Sequence, residues 1–148
     1  MHIAKNNGLY TKEDIEQLKE EIDHSLAGAL GIELQPSEGN EVIATMPVDH
    51  RTCRPPGILN GGASLALAET LAGYASHALL KAHTAAFGMQ VSANHISVAH
   101  LGDRVTGKAT PVHIGRSTHI WDITVTSQQT GKTVSSIRVV NFIANIPV

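Results

Sequence analysis

The stretch Ala63 to Lys81, ASLALAETLAGYASHALLK, constrains the fold more than any other part of this 148-residue chain. Alanine and leucine recur on nearly every side of it, and Glu69 is the one charge before the final lysine. Helix formers at this density predict a helix, and a helix apolar all round belongs in the interior. The rest of the chain must then wrap it. FGMQVSANHISVA, DRVTGKATPVHI, STHIWDITVTSQ and KTVSSIRVVNFIA follow as four long segments rich in Val, Ile and Thr. They are separated by His100-Leu101-Gly102, Gly115-Arg116 and Gln129-Thr130-Gly131, connections short enough to favour antiparallel neighbours.

The residues before the helix add three elements. Thr11 to Leu30 opens with a capping box, Thr11 with Asp14, and repeats Ile15, Leu18, Ile22 and Leu26 at steps of three and four, which predicts one amphipathic helix. Its outer side, with Glu13, Glu16, Glu20 and Glu21, is a solvated face. Glu41 to Val48 is a strand closed by Pro47 and Asp49-His50-Arg51-Thr52. CRPPGILNGG, with two prolines and three glycines, is a rigid irregular loop. The order predicts an α+β fold, one antiparallel sheet wrapped on a central helix. Residues 1–148 form one domain, with 1–30 as an N-terminal helical extension.

Composition removes several function classes. At 42% hydrophobic and 16% charged the chain is globular, and its net charge of −2 with five aromatic residues offers nucleic acid neither a basic stripe nor a stacking platform. The N-terminus lacks an apolar signal region, and the most apolar window is interrupted by Glu69, Ser76 and His77, so the expected protein is neither secreted nor membrane-spanning. Cys53 stands alone, which forbids an intramolecular disulfide or a thiolate metal cluster and suits a cytoplasmic setting. Residues 1–49 hold 3 basic and 10 acidic side chains, net −7, while residues 50–148 hold 8 and 3, net +5. An anionic ligand is expected to bind the second part.

Glu69 is the most informative side chain. A carboxylate in this helix must either lose its water or face a cleft, and Leu65, Ala66, Ala72 and Gly73 beside it are mostly small. A catalytic carboxylate and a structural one paired with an arginine or a backbone donor both fit that pattern. Gly61 and Gly62 sit just before the helix, where free N–H groups and the positive end of the dipole can polarise a carbonyl and hold a developing oxyanion. Taken alone, the pair reads equally as a tight turn. Ser64 in GGASL lacks a nucleophile elbow, Cys53 has no evident histidine partner, and the nine histidines show no helical metal-binding spacing. No metal site is expected.

At RTCRPPGILNGGASLALAETLAGYAS the sequence resembles the hotdog-fold acyl-CoA thioesterases, in the branch of phenylacetyl-CoA, 4-hydroxybenzoyl-CoA (Arthrobacter type) and 1,4-dihydroxy-2-naphthoyl-CoA hydrolases. ATMPVDHRTCRPPG, SANHISVA and TPVHIGRSTHIWDI extend the likeness to about residues 30–145. The resemblance implies a hotdog fold and a homo-oligomer, a dimer or a dimer of dimers, with sites at the subunit interface. It implies that Glu69 is the catalytic nucleophile or general base and that the Gly61 N–H polarises the thioester carbonyl, the two coming from different subunits. Coenzyme A enters as part of the substrate, with no separate cofactor, on Gly88, on His95, Ile96 and Ser97, and on the turn His113, Ile114, Gly115, Arg116 and Ser117. Arg116 is a natural partner for a nucleotide phosphate.

Three positions depart from the family pattern. Asn60 stands where a histidine usually precedes Gly-Gly, Arg54 replaces a loop glutamine, and Gly73 replaces a hydroxyl residue one turn after the carboxylate. Asn60 can still hydrogen-bond a thioester oxygen or a water, Arg54 would bring a positive charge toward Glu69, and Gly73 removes a hydroxyl that orients water or acyl group. The expected activity is hydrolysis of an acyl-CoA by Glu69, Gly61 and Asn60. A non-catalytic acyl-CoA binding protein is the alternative, and a hotdog hydratase, which needs an Asp and His pair, ranks last. Aryl, medium-chain and hydroxylated acyl groups all fit.

Overall fold

The structure is a computed structural model that describes residues 8–147. In chain order the elements are α1 (Lys12–Asp23), α2 (Leu26–Ala29), β1 (Glu33–Gln35), β2 (Val42–Pro47), β3 (Cys53–Arg54), β4 (Ile58–Leu59), α3 (Gly61–His77), β5 (Thr84–His95), β6 (Arg104–Ile114), β7 (Thr118–Ser127) and β8 (Thr133–Asn145). Six strands form one antiparallel sheet in the order β1-β2-β6-β7-β8-β5, and α3 packs on it through Ala63, Leu67, Ala68, Leu71, Ala72 and Ala75. The expected α+β arrangement of a sheet around a central helix is the arrangement found.

Why the helix sits so close to the sheet is visible at Gly107 in the middle of β6. A Cβ there would stand 2.6 Å from Leu71 Cδ1 and 3.2 Å from Leu67 Cδ2, so only hydrogen fits between strand and helix. Beyond that contact lie Met46, Trp121, Ile123, Val125 and Val139, all fully buried on the same face.

The expected single helix over Thr11 to Leu30 is two. The capping box forms as read, with Thr11 Oγ1 accepting the Asp14 N–H at 3.2 Å and the Asp14 carboxylate accepting the Thr11 N–H at 2.8 Å. The chain then breaks after His24, where Ser25 is extended and its hydroxyl donates to the Ile22 carbonyl. Gly28 makes the break possible, since a Cβ there would lie 2.3 Å from the Asp23 carbonyl oxygen. The central helix begins two residues earlier than Ala63 and ends at His77. β1 has three residues, too short for any period to mark it.

The proline-rich loop carries more order than its composition suggests. β3 and β4 pair across Pro55-Pro56-Gly57, Leu59 N–H donates to the Ala99 carbonyl at 2.9 Å, and Asn60 N–H to the Thr52 carbonyl at 2.8 Å. These bonds tie the start of α3 to the connection between β5 and β6, and so fix where the helix N-terminus points.

Candidate active site

Asn60 is the N-cap of α3, and its Oδ1 accepts the Gly62 N–H at 2.7 Å. Ala63 and Ser64 both donate to the Asn60 carbonyl. That leaves the Gly61 N–H without an acceptor among the described residues, at the positive end of a 17-residue helix. His95 closes over this point. A Cβ on Gly61 would lie 2.7 Å from His95 Nε2, while His95 Nδ1 is 2.7 Å from the hydroxyl of the buried Ser135.

Glu69 is exposed within the chain, and the expectation that α3 is covered on every side is corrected with it. Gly62, Glu69 and His77 are exposed and Ala66 and Gly73 half-exposed, so the stripe of the helix through these residues has little cover from its own chain. Its neighbour in space is β5, where a Cβ on Gly88 would stand 3.8 Å from Glu69 Oε1. Gly73, one turn further, faces open space, with nothing within 4 Å of where its Cβ would be. Arg54 is exposed and donates to the Pro55 carbonyl at 2.8 Å, and no ion pair joins it to Glu69. The pairing anticipated from the sequence is not made within the chain.

Eight residues of α-helix separate Gly61 from Glu69, a rise of about 12 Å at 1.5 Å per residue. A single carbonyl cannot touch both groups of one chain. The remaining expected residues fall into two further places. Ile96 is 61% exposed, and the Ser97 hydroxyl donates to the Thr133 carbonyl at 2.6 Å, next to His95 at the N-terminal end of α3. At the opposite end of the helix, Ile114, Gly115 and Arg116 line a cleft of about 540 Å³ with Lys81, Thr84 and His119. His113 folds toward Gly115, with Nε2 2.5 Å from where a Cβ would be, and Ser117 is exposed.

Lys81 and His119 are cleft residues that sequence reasoning did not single out. Lys81 falls just after the helix, where only its position at the helix end could have drawn notice. His119 is 4% exposed, and burial, with His113 nearby, holds its ring below the ordinary imidazole range. Burial pushes the Cys53 thiol up, with Asp49 adding to the effect, which disfavours a reactive thiolate. Among the described residues no cluster of His, Cys, Asp and Glu is placed to hold a metal, and no helix is long and apolar enough to cross a membrane.

An antiparallel sheet packed on one long central helix is the hotdog architecture, and the comparisons put the chain among the thioester hydrolases of that fold. The family model of the thioesterase superfamily matches residues 56–134, and the chain belongs to that family. Thioesterase HI1161 from Haemophilus influenzae superposes with a TM-score of 0.87 at 33% identity, over 100% of this chain and 98% of its own. A mutant of thioesterase PA1618 from Pseudomonas aeruginosa does so with a TM-score of 0.86 at 36% identity, over 92% and 97%. The 1,4-dihydroxy-2-naphthoyl-CoA hydrolase of Escherichia coli is 36% identical over 101 residues, 68% of this chain and 74% of its own length.

Proposed function

We propose that the protein hydrolyses small acyl-CoA thioesters, with Glu69 of one subunit and the Gly61 N–H of a second acting on the same carbonyl. The observation that carries this reading is the unpartnered Gly61 N–H. Asn60 consumes the next donor, so one N–H remains to meet an oxyanion as the thioester carbon becomes tetrahedral. Glu69, as nucleophile or as general base toward water, supplies the attack. The separation of about 12 Å along one helix supports a shared site, because a carbonyl within reach of both groups needs a second copy of α3 running the other way. β5 gives that copy a place to bind. It is a 12-residue edge strand beside the uncovered stripe, and it exposes Phe87 at 54% and Met89 at 60%.

The coenzyme A portion is assigned to the cleft at Arg116, whose guanidinium and the Lys81 ammonium offer charge to phosphate, in keeping with the net +5 of residues 50–148. Gly88, His95, Ile96, Ser97, His113, Ile114, Gly115 and Ser117 line the way for the rest of the substrate. The E. coli relative's name, a CoA-ester hydrolase, supports the substrate class. The reading places the enzyme in the cytoplasm. The open space at Gly73, where no hydroxyl stands, favours a second reading, a protein that binds acyl-CoA without cleaving it.

Free-thiol release from benzoyl-, phenylacetyl- and hexanoyl-CoA separates the two. Wild type is expected to release thiol from at least one ester, and Glu69→Gln to lose at least about a hundredfold in kcat with binding and fold retained. Saturable binding without thiol release selects the second reading.

A further inference from the structure

Gly88, Asn141 and His119 form one cross-strand row over β5, β8 and β7, on the face of the sheet that meets α3. Asn141 is 2% exposed, and its amide nitrogen donates to the Ala72 carbonyl at 3.0 Å and to Ser76 Oγ at 2.9 Å. A carbonyl cannot donate, so this orientation of the amide is forced, and both of its hydrogens are used. Ser76 Oγ also receives the Trp121 Nε1–H at 2.9 Å, which leaves its own hydrogen for His119 Nδ1 at 2.9 Å. Two donors in and one out saturate the hydroxyl, and burial keeps His119 neutral enough to accept. The donors of Asn141, Ser76 and Trp121 are thus all used, while Asn141 Oδ1 has no partner among the described residues.

That oxygen is not sealed away. Among the described residues Asn40 Oδ1 and Ser64 Oγ are the side-chain oxygens both sealed and without a partner, so Asn141 Oδ1, which also has none, keeps some exposure. The space beside it is the one left by the missing side chain of Gly88. Apart from Gly88 and its chain neighbours, the heavy atoms of the described residues within 4 Å of a Cβ there are Glu69 Oε1 at 3.8 Å and Asn141 Oδ1 at 3.9 Å. Glu69 Oε1 and Asn141 Oδ1 thus border the same small space that glycine leaves open, and a water in it would have one acceptor for each hydrogen. The bulge in β5 between Gly88 and Gln90 sets the strand's course at this point.

We propose that Asn141 is the water-positioning residue of the reaction, holding one hydrogen of the hydrolytic water while Glu69 takes the other. The inference rests on the thioesterase reading and decides within it for the general base. As the water oxygen bonds to the carbonyl carbon, its proton passes to Glu69. The C–S bond then breaks and Glu69 returns the proton to the departing thiolate, so one thioester and one water give one acid and one thiol. Ser76, Trp121 and His119 act through Asn141 by fixing its amide.

The test compares hydrolysis with hydroxylaminolysis of the ester wild type cleaves fastest. Hydroxylamine attacks as a neutral amine and depends less on an oriented base. Asn141→Ala should lower kcat for hydrolysis at least about tenfold with KM within about threefold, and raise the ratio of hydroxamate to acid. Both products falling together at an unchanged ratio would make Asn141 structural and overturn the proposal. Gly88→Ala serves where Asn141→Ala fails to fold. Its methyl meets nothing closer than 3.8 Å, so the melting temperature should hold while kcat falls at least about tenfold as water is displaced. Wild-type hydrolysis by folded Gly88→Ala would overturn the proposal while leaving the thioesterase reading intact. A wild type that releases no thiol from any ester removes both.

Discussion

Gly61→Ala tests whether the helix N-terminus is held open by the absence of a side chain. The new methyl would lie 2.7 Å from His95 Nε2 and 3.1 Å from two ring carbons, closer than such atoms sit. The imidazole must swing aside, which breaks its 2.7 Å bond to Ser135 Oγ. Ser135 is fully buried, so its hydroxyl loses a partner where water does not replace it, at a cost of about 1–3 kcal/mol. Against this, alanine is a better helix former than glycine by up to about 1 kcal/mol. The net expectation is a loss of about 1–2 kcal/mol in urea denaturation. The sign should reverse once the ring is gone. In a His95→Ala background Gly61→Ala should be neutral or slightly stabilising, which gives a coupling of at least about 1 kcal/mol in the double-mutant cycle. Additive effects would show that His95 does not press on the helix start, and the account of why glycine stands there would fail.

Gly107→Ala should destabilise the fold by about 1–3 kcal/mol through overpacking against Leu67 and Leu71, read as a lower urea midpoint at unchanged slope. Arg116→Ala should raise KM for CoA esters more than it lowers kcat, and the effect should shrink for a pantetheine ester without the nucleotide; equal losses on both would place Arg116 elsewhere. His119 gives a pH prediction. Its folded ring resists protonation below the ordinary value while the unfolded chain takes up a proton near 6.5, so stability is present above that value and falls as pH drops through it. The slope is at most about 1.4 kcal/mol per pH unit, and His119→Gln should flatten it between pH 7.5 and 5.

The fold was largely legible because its parts are long. The apolar run after Gly62 and four extended segments with short connections leave little choice but a sheet around a helix, and Thr11 with Asp14 announced the first cap. What escaped was short or spatial. β1, β3 and β4 are two or three residues each, and the break at Ser25 depends on a contact between Gly28 and the Asp23 backbone. The site divides in the same way. Glu69 stood out as a lone charge and Gly61 as a helix-start glycine, both local signals. Asn141 did not, since a strand asparagine has no mark until its partners Ala72 and Ser76, at least 65 positions away, are seen to use up its donors.

Ala and Leu on all sides of α3 predict a helix covered by its own chain, yet the stripe through Gly62, Glu69 and Gly73 is open. Apolar periodicity reports the environment of a residue in the working assembly and does not say which chain provides it. Under the proposed shared site the pattern and the exposure agree, since a second α3 would cover that stripe and bring its Gly61 toward Glu69. Pairing of the β5 edge with its copy would in addition shield Phe87 and Met89, which lie on the other face of the sheet from Gly88, and at about 25 cal/mol per Å² such burial is a direct driving force for association. Association and catalysis would then be one event. Charging that strand with Met89→Lys should split the assembly and abolish thiol release together, and an active monomer would refute the shared site.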